Sequence, residues 1–230
     1  MASREVVITG LGMVTAVGND TESSWRGLVA GQNGIAPLRN IDTEGFKVTF
    51  GAQVKDFDPE SVMDPKEARK ADRFSHFAIA AADEAVAQAG LDDLEDRRRA
   101  GVVIGSGIGG MLTFEEQHSR FLKRGPRGVS PLFIPMMISD MAAGLVSIRH
   151  DLRGANFCTV SACASGGHAI GTACDQIVLG HNDVMVAGGS EAAICNMALS
   201  GFANMKALST RNDEPRRASR RFDVERDRFV

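Results

Sequence analysis

Short apolar runs alternate along this chain with longer segments in which apolar residues recur at helical spacing. The runs have the length of buried strands and lack the period-two alternation of a sheet face that contacts water. We predict strands at 5–10, 47–54, 100–105, 156–161 and 183–189. Strands that alternate with helices favour an α/β fold, with helices on both faces of a mainly parallel, mixed sheet.

Capping residues and glycines mark the predicted helix boundaries. An Asp followed by Pro, as at Asp64 and Pro65, predicts a helix N-terminus, because Asp is a favoured N-cap and Pro fits the first helical position. The predicted helices run from Asp20 or Thr21 to Gly31, from Asp64 to Gly90, from Gly110 onward, from about Pro135 to His150, and over 164–180.

Composition excludes several classes of partner. The 230 residues include 26 basic and 29 acidic side chains, and a net charge of −3 gives no argument for binding nucleic acid or a membrane. The four cysteines lack CxxC spacing and a neighbouring histidine pattern, so we expect no metal site. No apolar run is long enough to span a bilayer, and the N-terminus does not resemble a signal peptide, so we expect a cytoplasmic protein. No linker is visible, and we expect one domain over residues 1–230.

Cys163 is the strongest candidate for chemistry. It lies in the segment VSACASGG at 160–167, where a predicted strand gives way to a helix. Unpaired N–H groups at a helix start favour a thiolate, which is the nucleophilic form of cysteine. The residues that follow have small side chains on nearly every face of the predicted helix. This predicts a central helix packed on every side with Cys163 at its buried tip. The alternative is a small buried core cysteine.

Two glycine clusters follow predicted strands. Gly10 and Gly12 lack the third glycine of a dinucleotide-binding fingerprint, which argues against a nucleotide site. The cluster at 105–110 fits either a phosphate cradle or a loop whose backbone lines a narrow cavity. Among the five histidines, His168 lies closest to Cys163 in sequence, but five positions along a helix turn it away from the thiol. We therefore interpret His168 as a packing residue.

Five motifs in order resemble the β-ketoacyl-acyl-carrier-protein synthases, and most closely the type II elongating enzymes of bacterial fatty-acid synthesis. They are VITGLGMVT at 7–15, GSGIGG at 105–110, SACASG at 161–166, GGSEA at 188–192 and ALSTRN at 207–212. The resemblance runs the whole length of the chain. It implies a thiolase-like fold and the Claisen condensation of an acyl chain with malonyl on acyl carrier protein, with Cys163 as the nucleophile.

The resemblance also implies a substrate site. Its expected substrate-binding residues are Gly107, Ile108, Phe133 and Ala162, of which Ile108 and Phe133 line the acyl pocket. For those two, ordinary core packing is the alternative. The Cys163 thiolate would attack an acyl thioester, and the Cys163 N–H would hold part of the oxyanion. Phosphopantetheine arrives on the carrier-protein substrate, and no other cofactor is expected.

A basic docking surface for the acidic acyl carrier protein is implied at two helix ends. Its candidates are Lys66, Arg69, Lys70, Lys123, Arg124 and Arg127. Solvated helix faces are the alternative interpretation of these side chains. The resemblance further implies a homodimer.

The chain departs from the family pattern in length. Family members are nearly twice as long and contain two similar α/β halves, and their two catalytic histidines, a lysine and a gating phenylalanine lie beyond Val230. Arg221 and Arg228 also stand where the family usually has Pro and Gly. We therefore expect an N-terminal half-domain with the C-terminal half absent, capable at most of acylating Cys163, with the missing half as a partner. Without that half, one face of the helix 164–179 is expected to meet water. The alternative is a non-catalytic remnant or interaction module.

Overall fold

The computed structural model describes residues 4–39 and 41–230, which divide into two compact units. Unit 1 comprises the residues up to Met13 together with Asp58–Ala193. Unit 2 comprises Val14–Phe57 and Ile194–Val230. The single half-domain over 1–230 stays a prediction.

The regular elements of the described residues are short and mostly helical. The α-helices are α1 Thr21–Val29, α2 Pro65–Ala68, α3 Arg73–Ala89, α4 Met111–Arg124, α5 Phe133–Met137, α6 Met141–Arg149, α7 Ser165–Val178 and α8 Asn196–Asn204. The strands are β1 Ala36–Pro37, β2 Phe50–Gly51, β3 Ala100–Gly105, β4 Asn156–Phe157 and β5 Val184–Gly189. Turns of 3₁₀ helix occur at Pro59–Ser61, Leu91–Asp93, Arg97–Arg99, Pro126–Gly128, Ala162–Ala164 and Pro215–Arg217.

A three-stranded parallel sheet forms the centre of unit 1, in the order β4-β3-β5. All six residues of β3 are buried. Ala100, Val102 and Ile104 belong to the cluster that α3 and α6 complete, so the side chains between them point to the opposite face, where α7 packs. The prediction of a mainly parallel sheet with helices on both faces is confirmed.

Glycines let α7 lie directly on this sheet. A Cβ built on Gly105 would stand 2.3 Å from the carbonyl oxygen of Ser165, at the first turn of α7. A Cβ on Gly189 would stand 2.8 Å from the Cα of Gly166. Contacts of that length are far inside van der Waals distance, so only glycine allows the helix start to approach the carboxyl ends of β3 and β5 so closely.

The predicted strand at 5–10 is wrong for the described residues, because this segment pairs with no strand among them. Val7 and Ile8 are 69% and 80% exposed. The end of the segment lies against α3 instead: a Cβ built on Gly10 would overlap the carbonyl oxygen of Ala85, at 2.0 Å. Strand formation depends on a distant pairing partner, and an apolar run alone does not supply one.

Two long helices are predicted where the structure has interrupted ones. Asp64 caps only the four-residue α2, and Asp72 caps α3 by accepting a hydrogen bond from the N–H of Phe74. The predicted helix from Pro135 to His150 is likewise split into α5 and α6. The strands expected at 47–54 and 156–161 are reduced to β2 and β4. The cap at Asp20 and the left-handed stops at Gly31 and Gly90 are confirmed.

Unit 2 is held together by segments that lie far apart in sequence. β1 pairs with β2 in antiparallel fashion, and Asp20 forms a capping box with Ser23 at the start of α1. The buried cluster of this unit comprises Ile35, Val48, Phe50, Leu199, Leu208 and Ala218. Trp25 on α1 is 63% exposed.

Among the helices of the described residues, none has the length and apolarity needed to cross a membrane.

Candidate active site

Cys163 occupies the 3₁₀ turn Ala162–Ala164, which leads directly into α7. Its side chain is exposed, so the predicted buried tip is wrong. The predicted packing of α7 on every side is also wrong, since Ala169 and Ala173 are buried whereas Ile170 and Leu179 are 56% and 68% exposed. An exposed face of this helix is also what the resemblance implies for residues 1–230 taken by themselves. The thiol is therefore accessible at the end of a helix that the sheet supports on one side only.

Hydrogen bonds hold the backbone of this turn in an unusual conformation. Ala162 has φ +50°, in the left-handed region that residues with a Cβ seldom adopt. The buried hydroxyl of Ser165 donates to the carbonyl of Ala162 at 2.7 Å and accepts from the N–H of Ser161 at 2.8 Å. Thr159 Oγ1 donates to the carbonyl of Ser165 at 2.8 Å. These bonds compensate the strain at Ala162 and fix the residue before the thiol.

His168 has a different environment from the one that the sequence suggests. It is exposed, and its Nδ1 lies 2.7 Å from the hydroxyl of Ser161, two residues before Cys163. The interpretation of His168 as a packing residue is therefore wrong. Helical spacing does point its side chain back toward the N-terminal end of α7, which the count of five positions did not take into account.

The glycine cluster after β3 holds a carboxylate from its own chain. Glu191 Oε2 accepts hydrogen bonds from the N–H groups of Gly107 at 2.7 Å and Ile108 at 3.1 Å. The hydroxyl of Ser106 donates to Glu191 Oε1 at 3.2 Å. A phosphate would need these same N–H donors, so the structure favours the cavity-lining interpretation of the cluster. Burial raises the pKa of Glu191, and the hydrogen bonds from Gly107 and Ser106 counteract part of that rise.

Sequence reasoning missed Glu191, although a signal was present. β3 and β5 are parallel, with Gly105 opposite Gly189. Glu191 and Gly107 each lie two residues beyond this pair, so the register brings the acid to the glycine turn. An acidic residue after one strand and a glycine-rich turn after its neighbour predict such a contact once the pairing is known.

The structure brings two of the four expected substrate-binding residues, Gly107 and Ala162, close together. A Cβ built on Gly107 would lie 3.7 Å from the Cα of Ala162, so the turn after β3 contacts the turn of the thiol. Ile108 is 40% exposed. Phe133 opens α5 and is half-buried, with its ring centroid 6.3 Å from that of Phe114. Neither Ile108 nor Phe133 belongs to the buried core.

The six basic docking candidates are all exposed and form two groups, one at α2 and one at the end of α4. Asp72 ties these regions together, because its Oδ2 accepts from the N–H of Thr113 at 2.9 Å and from the Thr113 hydroxyl at 2.7 Å. Ten residues of α4 separate Thr113 from Lys123, about 15 Å along the helix axis. The structure thus places the two groups on elements that contact each other, but the groups remain two separate patches.

Across the described residues, no cluster of three or more His, Cys, Asp or Glu side chains suits a metal ion.

Cys163 is expected to react with iodoacetamide at pH 7 several times faster than Cys174. Both thiols are exposed, and of the two only Cys163 stands at a helix start, on the turn that leads into α7. Cys195 is buried and burial raises the pKa of Cys158, so both are expected to label more slowly still. Mass spectrometry after brief exposure measures the four rates. Equal labelling of Cys163 and Cys174 contradicts the helix-start argument, because exposure is matched.

Comparison with known proteins gives one consistent result. The family model described as beta-ketoacyl synthase, N-terminal domain, matches residues 3–230. The chain is 48% identical to 3-oxoacyl-[acyl-carrier-protein] synthase 2 of Vibrio cholerae serotype O1 and 46% identical to the protein of the same name from Synechocystis sp.. Both alignments cover 100% of this chain and 56% of the relative. The chain thus spans about half the length of these curated relatives.

A solved structure agrees in fold. The crystal structure of a beta-ketoacyl synthase from Burkholderia phymatum STM815 superposes with a TM-score of 0.85 at 34% sequence identity. The match covers 97% of this chain and 55% of that one. The expected α/β, thiolase-like fold, present as its N-terminal part, is confirmed.

Proposed function

The chain belongs to the beta-ketoacyl synthase family, and from that premise we propose that it supplies the nucleophile of a 3-oxoacyl-[acyl-carrier-protein] synthase. The observation that carries the proposal is Cys163, exposed on a strained turn at the start of α7. The names of the relatives support the substrate class, an acyl chain on acyl carrier protein. The reaction assigned to this chain is transfer of that acyl group to Cys163.

The proposed step forms one thioester and breaks another. The Cys163 thiolate attacks the acyl carbonyl carbon, and the tetrahedral oxyanion lies against the N–H of Cys163 at the helix start. When the intermediate collapses, the bond from carbon to the pantetheine sulfur breaks, and the departing thiolate takes a proton from solvent. The product is an acyl-enzyme on Cys163.

Condensation with malonyl is the second step of the proposed activity. Loss of CO₂ from malonyl leaves a carbanion that attacks the acyl-enzyme, and its enolate oxygen needs hydrogen-bond donors. The resemblance assigns those donors to residues beyond Val230. We therefore propose that the 230 residues carry out acylation, and that condensation requires the groups of the second half.

Acyl transfer from purified acyl-acyl-carrier protein to this chain tests the proposal. Digestion and mass spectrometry are expected to find the acyl mass on the peptide that contains Cys163. A folded chain that takes up no acyl group, or takes it on another residue, contradicts the proposed function and favours a non-catalytic interaction module.

The partners follow from the surfaces already described. We propose that the exposed apolar face of α7, with Ile170, Val178 and Leu179, packs against the second half of the fold. A homodimer and a cytoplasmic location complete the proposal, since the family habit is dimeric and the cysteines of the described residues form no disulfide.

Reversing the charge of Arg124 and Arg127 to Glu is expected to weaken acyl-carrier-protein binding by roughly tenfold at low salt. Both side chains are exposed at the end of α4 and in the turn after it, where they can face an acidic partner. The effect should shrink above about 0.1 M salt, where the Debye length falls to about 10 Å. Titration by calorimetry at two salt concentrations measures it. Reversal of Arg221 and Arg226, which are exposed in unit 2, changes the net charge equally and is the control; an equal loss in the control removes the docking assignment.

A further inference from the structure

We propose that Glu191 is a positioning residue that fixes the Gly107–Ile108 turn beside the nucleophile and so sets the acyl chain length that Cys163 accepts. This inference rests on the proposed function, because the resemblance behind that function implies that Ile108 lines the acyl pocket. Glu191 does not touch the reacting atoms; it acts through the turn.

One carboxylate controls four consecutive residues of the turn. A single oxygen, Glu191 Oε2, accepts from the N–H groups of both Gly107 and Ile108. Ser106 extends the control, because its buried hydroxyl donates to Glu191 Oε1 and accepts from the N–H of Gly109 at 3.0 Å. Hydrogen bonds to an ionised acceptor are about twice as strong as neutral ones. The orientation of the peptide between Gly107 and Ile108 is therefore set by Glu191.

The turn is held between the nucleophile and the second pocket residue. Gly107 contacts Ala162 on the turn of the thiol. On the other side, the N–H of Gly110 donates to the carbonyl of Met137 at 3.0 Å, the last residue of α5, which Phe133 opens. Any displacement of the turn thus changes the space that separates Cys163 from α5.

Ile108 depends on this support. Its side chain is 40% exposed, so packing does little to fix it, and its position follows the backbone that Glu191 holds. Burial raises the pKa of Glu191, so the fold keeps a carboxylate where solvation favours it less than in water.

The test compares two alkylating probes at Cys163 of the 230-residue chain: iodoacetamide and N-decyl-2-iodoacetamide. The variants are Glu191→Ala, Glu191→Gln and, as a control, Glu95→Gln at an exposed position. Amide hydrogen exchange of the peptide that spans 105–110 is measured in parallel. In Glu191→Ala the ratio of decyl to short-probe rate is expected to fall about tenfold, with faster exchange at 107 and 108. Glu191→Gln keeps an acceptor oxygen but loses the charge, so its rate ratio should fall between those of Glu191→Ala and the parent chain, whereas Glu95→Gln should stay within about twofold of the parent chain.

The outcomes separate the inference from the proposed function. A folded Glu191→Ala chain with unchanged exchange and unchanged rate ratio overturns the inference. Faster exchange with an unchanged ratio overturns the role in chain-length selection. If Glu191→Ala does not fold by circular dichroism, Glu191→Asp, one methylene shorter, takes its place under the same criteria. Failure of the parent chain to accept an acyl group from carrier protein refutes the proposed function, and the exchange data still decide whether Glu191 holds the turn.

Discussion

Replacement of Cys163 by alanine is expected to reduce acyl transfer from acyl-acyl-carrier protein about a thousandfold or more, because the variant lacks the atom that forms the covalent bond. The other thiols cannot substitute from where they lie. Cys195 is buried and Cys158 is half-buried at the end of β4. Time-resolved intact mass spectrometry of the acylated chain gives the rates.

Cys174→Ala is the matched control for this experiment. Cys174 is exposed and lies on the same helix, so its loss removes a thiol without touching the turn of Cys163. The control is expected to acylate at the rate of the parent chain. Acylation of Cys163→Ala at more than a few per cent of that rate would assign the nucleophile to another residue.

The second large effect is expected for Gly105→Ala, which should lower the free energy of unfolding by about 3 kcal/mol. The new methyl group would meet the backbone of Ser165 at 2.3 Å, and backbone cannot turn aside as a flexible side chain can. α7 must therefore move away from β3. Chemical denaturation followed by far-ultraviolet circular dichroism measures the change.

Gly171→Ala provides the opposite expectation on the same helix. A Cβ at Gly171 meets nothing within 4 Å, and alanine is favoured over glycine inside a helix by about 1 kcal/mol. This variant should be as stable as the parent chain or more so. Equal stability of the two variants would show that the start of α7 can move from the sheet without cost.

The parts of the fold that sequence predicts correctly are those with local signals. β3 and β5 are continuous apolar runs that end in glycine, and α7 begins within the SACASG motif, at Ser165. The left-handed end of α3 follows from Gly90, which has φ +65°. Each of these depends on residues within one segment.

The errors arise where distant contacts decide the outcome. Asp64 has the properties of an N-cap, yet Asp72 is the residue that accepts from Thr113 of α4, and this contact across unit 1 fixes the start of the long helix. The run at 5–10 has the composition of a strand but no partner among the described residues. Neither fact is visible in the local pattern.

The candidate site divides in the same way. The position of Cys163 at a helix start is local and was predicted, whereas its exposure depends on what packs against α7. The contact of Glu191 with the glycine turn depends on the pairing of β3 with β5. Sequence spacing does not predict the contact of the His168 ring with Ser161, because that contact depends on the turn that precedes α7.

The division of unit 2 into two distant segments affects how the protein reaches its native state. Asn33 Nδ2 donates to the carbonyl of Arg216, and Thr49 Oγ1 donates to Asn212 Oδ1, so the two segments must meet before this unit is complete. More than half of the chain intervenes, and the length-dependent entropy of closing such a loop is about 4 kcal/mol. Assembly of unit 2 is therefore a high-contact-order event, slower than formation of the local helices. Trp25, the single tryptophan in a chain without tyrosine, lies in this unit, so indole fluorescence reports on unit 2 rather than on the unit that holds Cys163.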